Sequence, residues 1–333
     1  MSELVGAVLT RPVVDEVAVA ALLRDRWAID GRLRPLPSER DRNFAVEIDG
    51  QPAFVLKVSN VAEDVALLQM QHAAMSVLAA ARVPCQRPME TIAGEDIVTW
   101  TPSGGREVLV RLLTWLPGRP LATVPPADRP PALLGDLGAT MGRAAQALTR
   151  FDHPAARRPF QWDARRGLEI IDAHLPAVRD PARAALIGRW RSRLDRLGAI
   201  LPTLRTSIIH NDANDHNVLV AEDHQRVSGL LDLGDAVWSI TVNELAVAAA
   251  YAALDAADPI AVIDQVRAGF ERELGLTDAE RSMVVELVAL RLSTSVALSA
   301  HQARLAPDDP YLTISEAPAW ALLDVLAATE PPA

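Results

Sequence analysis

Two short segments of alternating apolar and polar residues, NFAVEI (43–48) and PAFVLKV (52–58), are separated by Gln51 and the pair Asp49-Gly50. Asp-Gly between alternating runs is a strong signal for a tight hairpin, so an antiparallel strand pair is fixed early in the chain. Lys57 then falls near the end of the second strand. Residues 14–29 (VDEVAVAALLRDRWAI) repeat their apolar positions at helical spacing, and 63–82 (EDVALLQMQHAAMSVLAAAR) does so until Val83-Pro84 stops it. Further strands are expected at IVTW (97–100) and EVLVRLLTW (107–115), parted by the turn residues 102–105. Beyond Pro117-Gly118 and the Pro-rich stretch 125–131 the period becomes helical: 132–150, 163–176, 182–199, 243–256, 260–273, 278–304 and 316–328. Only 216–220 and 226–232 interrupt it, as short strands.

This order predicts an α+β chain of two parts. A small antiparallel sheet-plus-helix lobe occupies 1–115, and a larger, mainly helical lobe occupies 116–333. At about 150 residues per domain, 333 residues suit two such parts, with a ligand in the cleft between them. The formal charge of −10 argues against a broad nucleic-acid or anionic-membrane surface, which needs clustered positive charge. No apolar run approaches the roughly 18–20 residues that cross a bilayer, and the acidic start does not resemble a signal peptide. A single cysteine, Cys85, fits a reducing, cytoplasmic setting and reads as a small buried hydrophobe.

Of 33 basic residues, 32 are Arg and one is Lys57. Arg replaces Lys freely on a surface but not where a compact ammonium must meet a phosphate as a point charge. The chemistry expected for such a lysine appears downstream. In IIHNDANDHNVLV (208–220) and GLLDLGD (229–235), Asp212 is followed five residues later by Asn217, and Asp232 comes after a hairpin. This is the spacing of phosphoryl-transfer sites. One Asp orients or deprotonates the attacking hydroxyl, while an Asn and a later Asp offer oxygen ligands to a divalent cation.

With these motifs in view, the chain resembles the aminoglycoside phosphotransferase and choline kinase superfamily, which has a protein-kinase-like bilobal fold, and within it the hydroxylysine kinase-like branch. The likeness rests on SERDRNF (38–44), FVLKVSN (54–60), LLTWLPGRPL (112–121), HNDANDHNVL (210–219), LDLGDAVWSITVNELAVAAAYA (231–252) and YLTISEAPAW (311–320). It implies transfer of the γ-phosphoryl of ATP or GTP, with Mg²⁺, to a hydroxyl of a small amino-bearing acceptor such as hydroxylysine or a related amino alcohol. Asp212 would be the base, Asn217 and Asp232 the metal ligands, and Lys57 the contact to the phosphates. Ser38, Arg40 and Asn43 would cover the phosphates, and the connector backbone from Leu113 to Leu116, with Trp115 beside it, would read the base. Candidates on the acceptor side are Asp163, Asp215, Glu244 and Arg291. Arg291 lies in an apolar helix and needs a carboxylate, either a substrate's or that of Glu244 or Glu286, the internal pair being preferred.

Two features depart from the wider pattern. No G-x-G-x-x-G loop stands before the hairpin, and Gln69 occupies the position where an acidic helix partner for Lys57 is expected. Two other functions compete. His210-x-Asp212-x-x-Asp215-His216 has the look of a metal-dependent hydrolase, and a nucleotide-binding module without catalysis would keep the same residues. His210 reads as a structural histidine, and Gly135, Gly138 and Gly142 as sites of close helix packing.

Overall fold

In the computed structural model, which describes residues 11–38, 40–305 and 316–329, Asp49 and Gly50 both take positive φ, 51° and 76°. That is the backbone a two-residue hairpin of matching twist requires. Strands Arg42–Ile48 and Gln51–Val58 pair antiparallel across it, with Asn43 opposite Lys57. Gln51–Val58 pairs in turn with Val108–Thr114, which sets Lys57 opposite Arg111. Strands Arg32–Leu36, Pro88–Met89 and Val98–Trp100 complete a six-stranded antiparallel sheet. One of its faces carries Phe44, Leu56 and Leu112, which are buried in one cluster with Val19, Leu23 and Trp27 of the helix Glu16–Trp27. Helix Val65–Ala80 follows the hairpin and is capped by Asp64, whose carboxylate accepts from Ala66 N–H.

The chain divides into two compact units, Met1–Pro117 and Gly118–Ala333. The second is helical with short strand inserts. Helices Pro131–Leu148 and Pro259–Glu273 lie so close that a Cβ on Gly138 would sit 1.9 Å from the carbonyl oxygen of Val266. Helix Val284–Leu305 packs against Gly167–His174, Asn243–Ala252 and Glu316–Ala328. By length and composition this helix is apolar enough to cross a membrane, but Glu286 and Arg291 interrupt its apolar run and 78% of the window is buried inside the protein, as in a core helix.

Several expected elements are corrected. Between the helical stretches the sequence suggested only two strands, but Thr206–Ile209 and Val237–Ile240 also pair antiparallel. They clamp both ends of the motif region: His210 follows the first strand directly, and the second begins two residues after Asp235. The strand expected at 226–232 is Val227–Leu230, so Asp232 lies outside it. The helix expected at 278–304 is broken at Met283 into Asp278–Ser282, closed by a Thr277–Glu280 capping box, and Val284–Leu305. The one at 182–199 ends at Leu194 and resumes at Leu197–Ile200. Glu39 and residues 311–315 of the resemblance blocks lie outside the described residues.

Candidate active site

The loop 210–217 leaves Thr206–Ile209 and enters the strand Val218–Val220. His210 is fully buried and spends both ring nitrogens on the backbone: Nε2 lies 2.9 Å from Leu231 O, and Nδ1 accepts from Asp212 N–H. Burial lowers its pKa, as suits a bracing, uncharged ring. Asn211 takes a left-handed φ of 66° and is tied down on every side. Its Nδ2 donates to Trp162 O and Asp235 O, its Oδ1 accepts from Asn243 Nδ2, and its N–H donates to Glu244 Oε2 at 3.1 Å. A non-glycine residue in that backbone region is strained, and the surroundings hold it there.

Asp212 receives three side-chain donors. Arg291 Nη2 lies 3.0 Å from Oδ1, Asn214 Nδ2 donates to the same oxygen at 3.0 Å, and Asn217 Nδ2 donates to Oδ2 at 2.7 Å. Burial and the charge of Asp235 raise its carboxyl to about 8, outweighing Arg291 and Asn214, which pull against them. Burial works against the Arg291 charge as well, but Tyr251, Asp212 and Asp235 outweigh it and hold the guanidinium above its ordinary value. The guanidinium therefore stays protonated and meets the Asp212 carboxyl as a charged donor.

Asn217 spends its amide nitrogen on Asp212, at both Oδ2 and the main-chain oxygen, which turns its other side-chain atom, an oxygen, into the group available to a cation. Asp232 follows Leu231, whose N–H donates to Asn217 O, and so is tied by one residue to the Asn217 backbone. It takes φ 56°, and its Oδ1 accepts from Gly234 N–H. Arg158 Nη2 braces the same turn by donating to Gly234 O. An amide oxygen and a carboxylate are the hard donors that Mg²⁺ takes together with phosphate oxygens, so this pair fits that ion. Among the described residues, no three His, Cys, Asp or Glu side chains gather as a metal cluster. The H-x-D-x-x-D-H reading is thereby corrected, because His210 and Asp212 are spent on the backbone, Arg291 and the Asn pair.

The acceptor-side candidates separate. Asp163 was expected to meet the acceptor; its carboxylate is instead taken up by Arg165 and by Ser239 Oγ, which donates at 2.6 Å, so it fastens its turn to the strand Val237–Ile240. Glu244 lies beneath the loop as the acceptor of the Asn211 N–H, and burial pushes its carboxyl up to about 7. Arg291 was expected to pair with Glu244 or Glu286. It pairs with Asp212, whereas Glu286 lies 3.5 Å from Arg193. Asp215 is raised by burial against the charges of His216 and Arg129, and its Oδ1 has no hydrogen-bond partner among the described residues. A small pocket lined by Trp162, Asp163, Asn243, Leu290, Arg291 and Thr294 adjoins this cluster.

In the first unit, Asn43, Lys57 and Arg111 form one cross-strand row, so their side chains share a face of the sheet. Lys57 and Arg111 are both buried. Ser38 Oγ accepts from Asp41 N–H and Asp41 Oδ1 from Asn60 N–H, with bends at Arg40 and Asp41. Leu113 lies inside the ladder between Val55 and Pro88 with its side chain buried. The N–H groups of Thr114 and Trp115 donate to Arg87 O and Ala53 O, so the sheet claims the connector backbone up to Trp115 N–H. Gln69 is exposed on its helix. Arg111, Asn211, Asn214 and Asn243 were missed by sequence reasoning; the one available signal was a charged residue inside the strand pattern EVLVRLLTW.

Comparison with known proteins agrees with this geometry. The model of the Phosphotransferase enzyme family matches residues 32–283. Hydroxylysine kinase of Bos taurus is 31% identical over 94% of this chain and 89% of its own length, and that of Mus musculus is 30% identical over 95% and 90%. Among solved structures, a microcompartment-associated aminopropanol kinase superposes with TM-score 0.71 at 17% identity, covering 94% of this chain and 98% of its own. Amicoumacin kinase, solved in complex with AMP-PNP, Ca²⁺ and Ami, gives 0.70 at 15% identity, with 93% of each chain covered. These two show the fold, which is kinase-like. The chain therefore belongs to the Phosphotransferase enzyme family, in its hydroxylysine kinase-like branch, and is a phosphotransferase acting on an alcohol group.

Proposed function

We propose that the chain transfers the γ-phosphoryl group of ATP or GTP to a hydroxyl of a small amino-bearing acceptor, with hydroxylysine and related amino alcohols or amino acids as the first candidates. The observation that carries this reading is the bond from Asn217 Nδ2 to Asp212 Oδ2 at 2.7 Å, which makes the hydroxyl-orienting acid and the cation-binding amide one unit. Asp212 accepts the proton of the acceptor hydroxyl as its oxygen forms the new bond to phosphorus. The bridging bond to the nucleoside diphosphate breaks, and the diphosphate leaves with that electron pair. Asn217 and Asp232 hold Mg²⁺, which when bound neutralises phosphate charge. Lys57 meets the phosphates, with Ser38, Arg40 and Asn43 over them; the base is read after Thr114, by the backbone of Trp115 and Leu116 beyond the buried Leu113. Asp215, half-buried with its buried Oδ1 unbonded among the described residues, suits the ammonium of the acceptor. The named activity of the relatives supports the acceptor class.

The test incubates purified protein with ATP or GTP, Mg²⁺ and a panel of amino alcohols and hydroxy amino acids. Acceptor-dependent formation of the nucleoside diphosphate is expected, and Asp212→Asn should lower kcat by about 10²–10⁴-fold. No turnover with any acceptor, or an unchanged Asp212→Asn enzyme, overturns the reading.

A further inference from the structure

Arg291 sits on the helix Val284–Leu305 between Leu290 and Leu292, and only 5% of its side chain is exposed. A guanidinium placed there is costly unless its charge is met. Neither nearby glutamate meets it, since Glu286 lies against Arg193 and Glu244 is bonded to Asn211 N–H. Asp212 does, through Nη2 at 3.0 Å, and Nη1 lies 3.5 Å from Asn211 O. The flat guanidinium is also held by packing: its carbon is 4.3 Å from the centroid of the Trp162 ring and 5.6 Å from that of Tyr251. Two aromatic rings therefore flank the guanidinium in addition to the charge of Asp212.

The carboxylate of Asp212 has about four acceptor positions, two on each oxygen. Arg291 and Asn214 take those on Oδ1, and Asn217 takes one on Oδ2. We propose that Arg291 is the positioning residue of the phosphoryl-transfer site: from the core helix it fixes Asp212 in one rotamer, so that the last position on Oδ2 is the one offered to the acceptor hydroxyl. The proposal rests on the reading of Asp212 given under Proposed function. Because Arg291 acts through Asp212 and not on the acceptor, its loss belongs in kcat and leaves KM in place.

Arg291→Met, Arg291→Lys and Arg291→Ala are compared with wild type, each checked for folding by thermal melting. Arg291→Met should lower kcat by about 10²-fold while KM for acceptor and nucleotide changes less than about threefold. Arg291→Lys keeps the charge without the fork and should fall between. Arg291→Ala opens the space beside Trp162 and Tyr251, and millimolar guanidinium ion should restore part of its kcat. In an Asp212→Asn background, Arg291→Met should cost nothing further. A kcat within twofold of wild type, a loss carried by acceptor KM, or additive losses in the double variant overturns the proposal. If Arg291→Met does not fold, Arg291→Lys and guanidinium rescue of Arg291→Ala carry the same comparison. If wild type itself transfers no phosphoryl group, it is the proposed function that fails. The pair is then read from melting alone: Arg291→Met should lower Tm less in the Asp212→Asn background than in wild type, and an equal drop overturns it.

Discussion

Lys57 and Arg111 stand directly opposite on neighbouring strands, so two cations share one face of the sheet. Asn43, on the other side of Lys57 in the same row, has an Oδ1 that is buried without a hydrogen-bond partner among the described residues. A nucleotide phosphate is the anion that the proposed function brings to this row. Lys57→Arg keeps the net charge and changes only the shape of the cation, so kcat/KM should fall at least about tenfold, and near-normal turnover would remove Lys57 from the phosphate site. Lys57, Asp212, Asn217 and Asp232 could be singled out in the sequence as candidates because their signal is local: a strand pattern, a five-residue spacing, a turn after a hairpin. The Arg291–Asp212 pair was not. The two residues are 79 positions apart, several carboxylates competed for one guanidinium, and helix packing made the choice.

At the scale of elements, the sequence showed the long helices and the first hairpin because each repeats its period several times. It hid Thr206–Ile209 and Val237–Ile240, four residues each, which are strands because they find one another and not because either carries two full periods of alternation. The spaced glycines were legible as close packing, and the structure shows what they approach. Gly138→Ala would drive a methyl into the backbone of Val266 and Phe270, so it should destabilise the protein by about 1–3 kcal/mol or more. Gly188 is the internal control. It lies within the helix Pro181–Leu194 with nothing near its Cβ position, and Gly188→Ala should raise stability by about 0.5–1 kcal/mol. Thermal melting of the two variants should give shifts of opposite sign, and a common sign would place the Gly138 constraint elsewhere than in the helix contact.

For the whole molecule, the charge of −10 says little about how stability responds to pH near neutrality, because a few buried groups decide it. Which of the seven histidines are buried cannot be read from composition. Burial lowers the pKa of His72 in the first unit, with the charge of Arg111 adding to it, and lowers those of His174 and His210 in the second. A histidine whose folded pKa lies below its ordinary 6.5 contributes stability above that value. Acidification then lets the unfolded chain bind the proton first, at a cost of up to about 1.4 kcal/mol per pH unit for each group. Buried acids work the other way. Glu244, raised from 4.5 to about 7, and Asp215, also raised, stabilise the folded state at low pH, and that contribution is lost as pH rises through the folded pKa. These acids lie in the second unit, where they oppose His174 and His210, whereas His72 in the first unit has no such opponent among the groups with resolved shifts. Hydrogen exchange of the apoprotein between pH 7 and 5, corrected for intrinsic rates, should therefore show the amides of strand Gln51–Val58 losing protection free energy steeply. Those of helix Asn243–Ala252 should change less, and His72→Gln should flatten the first response. Equal slopes in the two units, or a first unit indifferent to pH, would show that other groups govern the acid response.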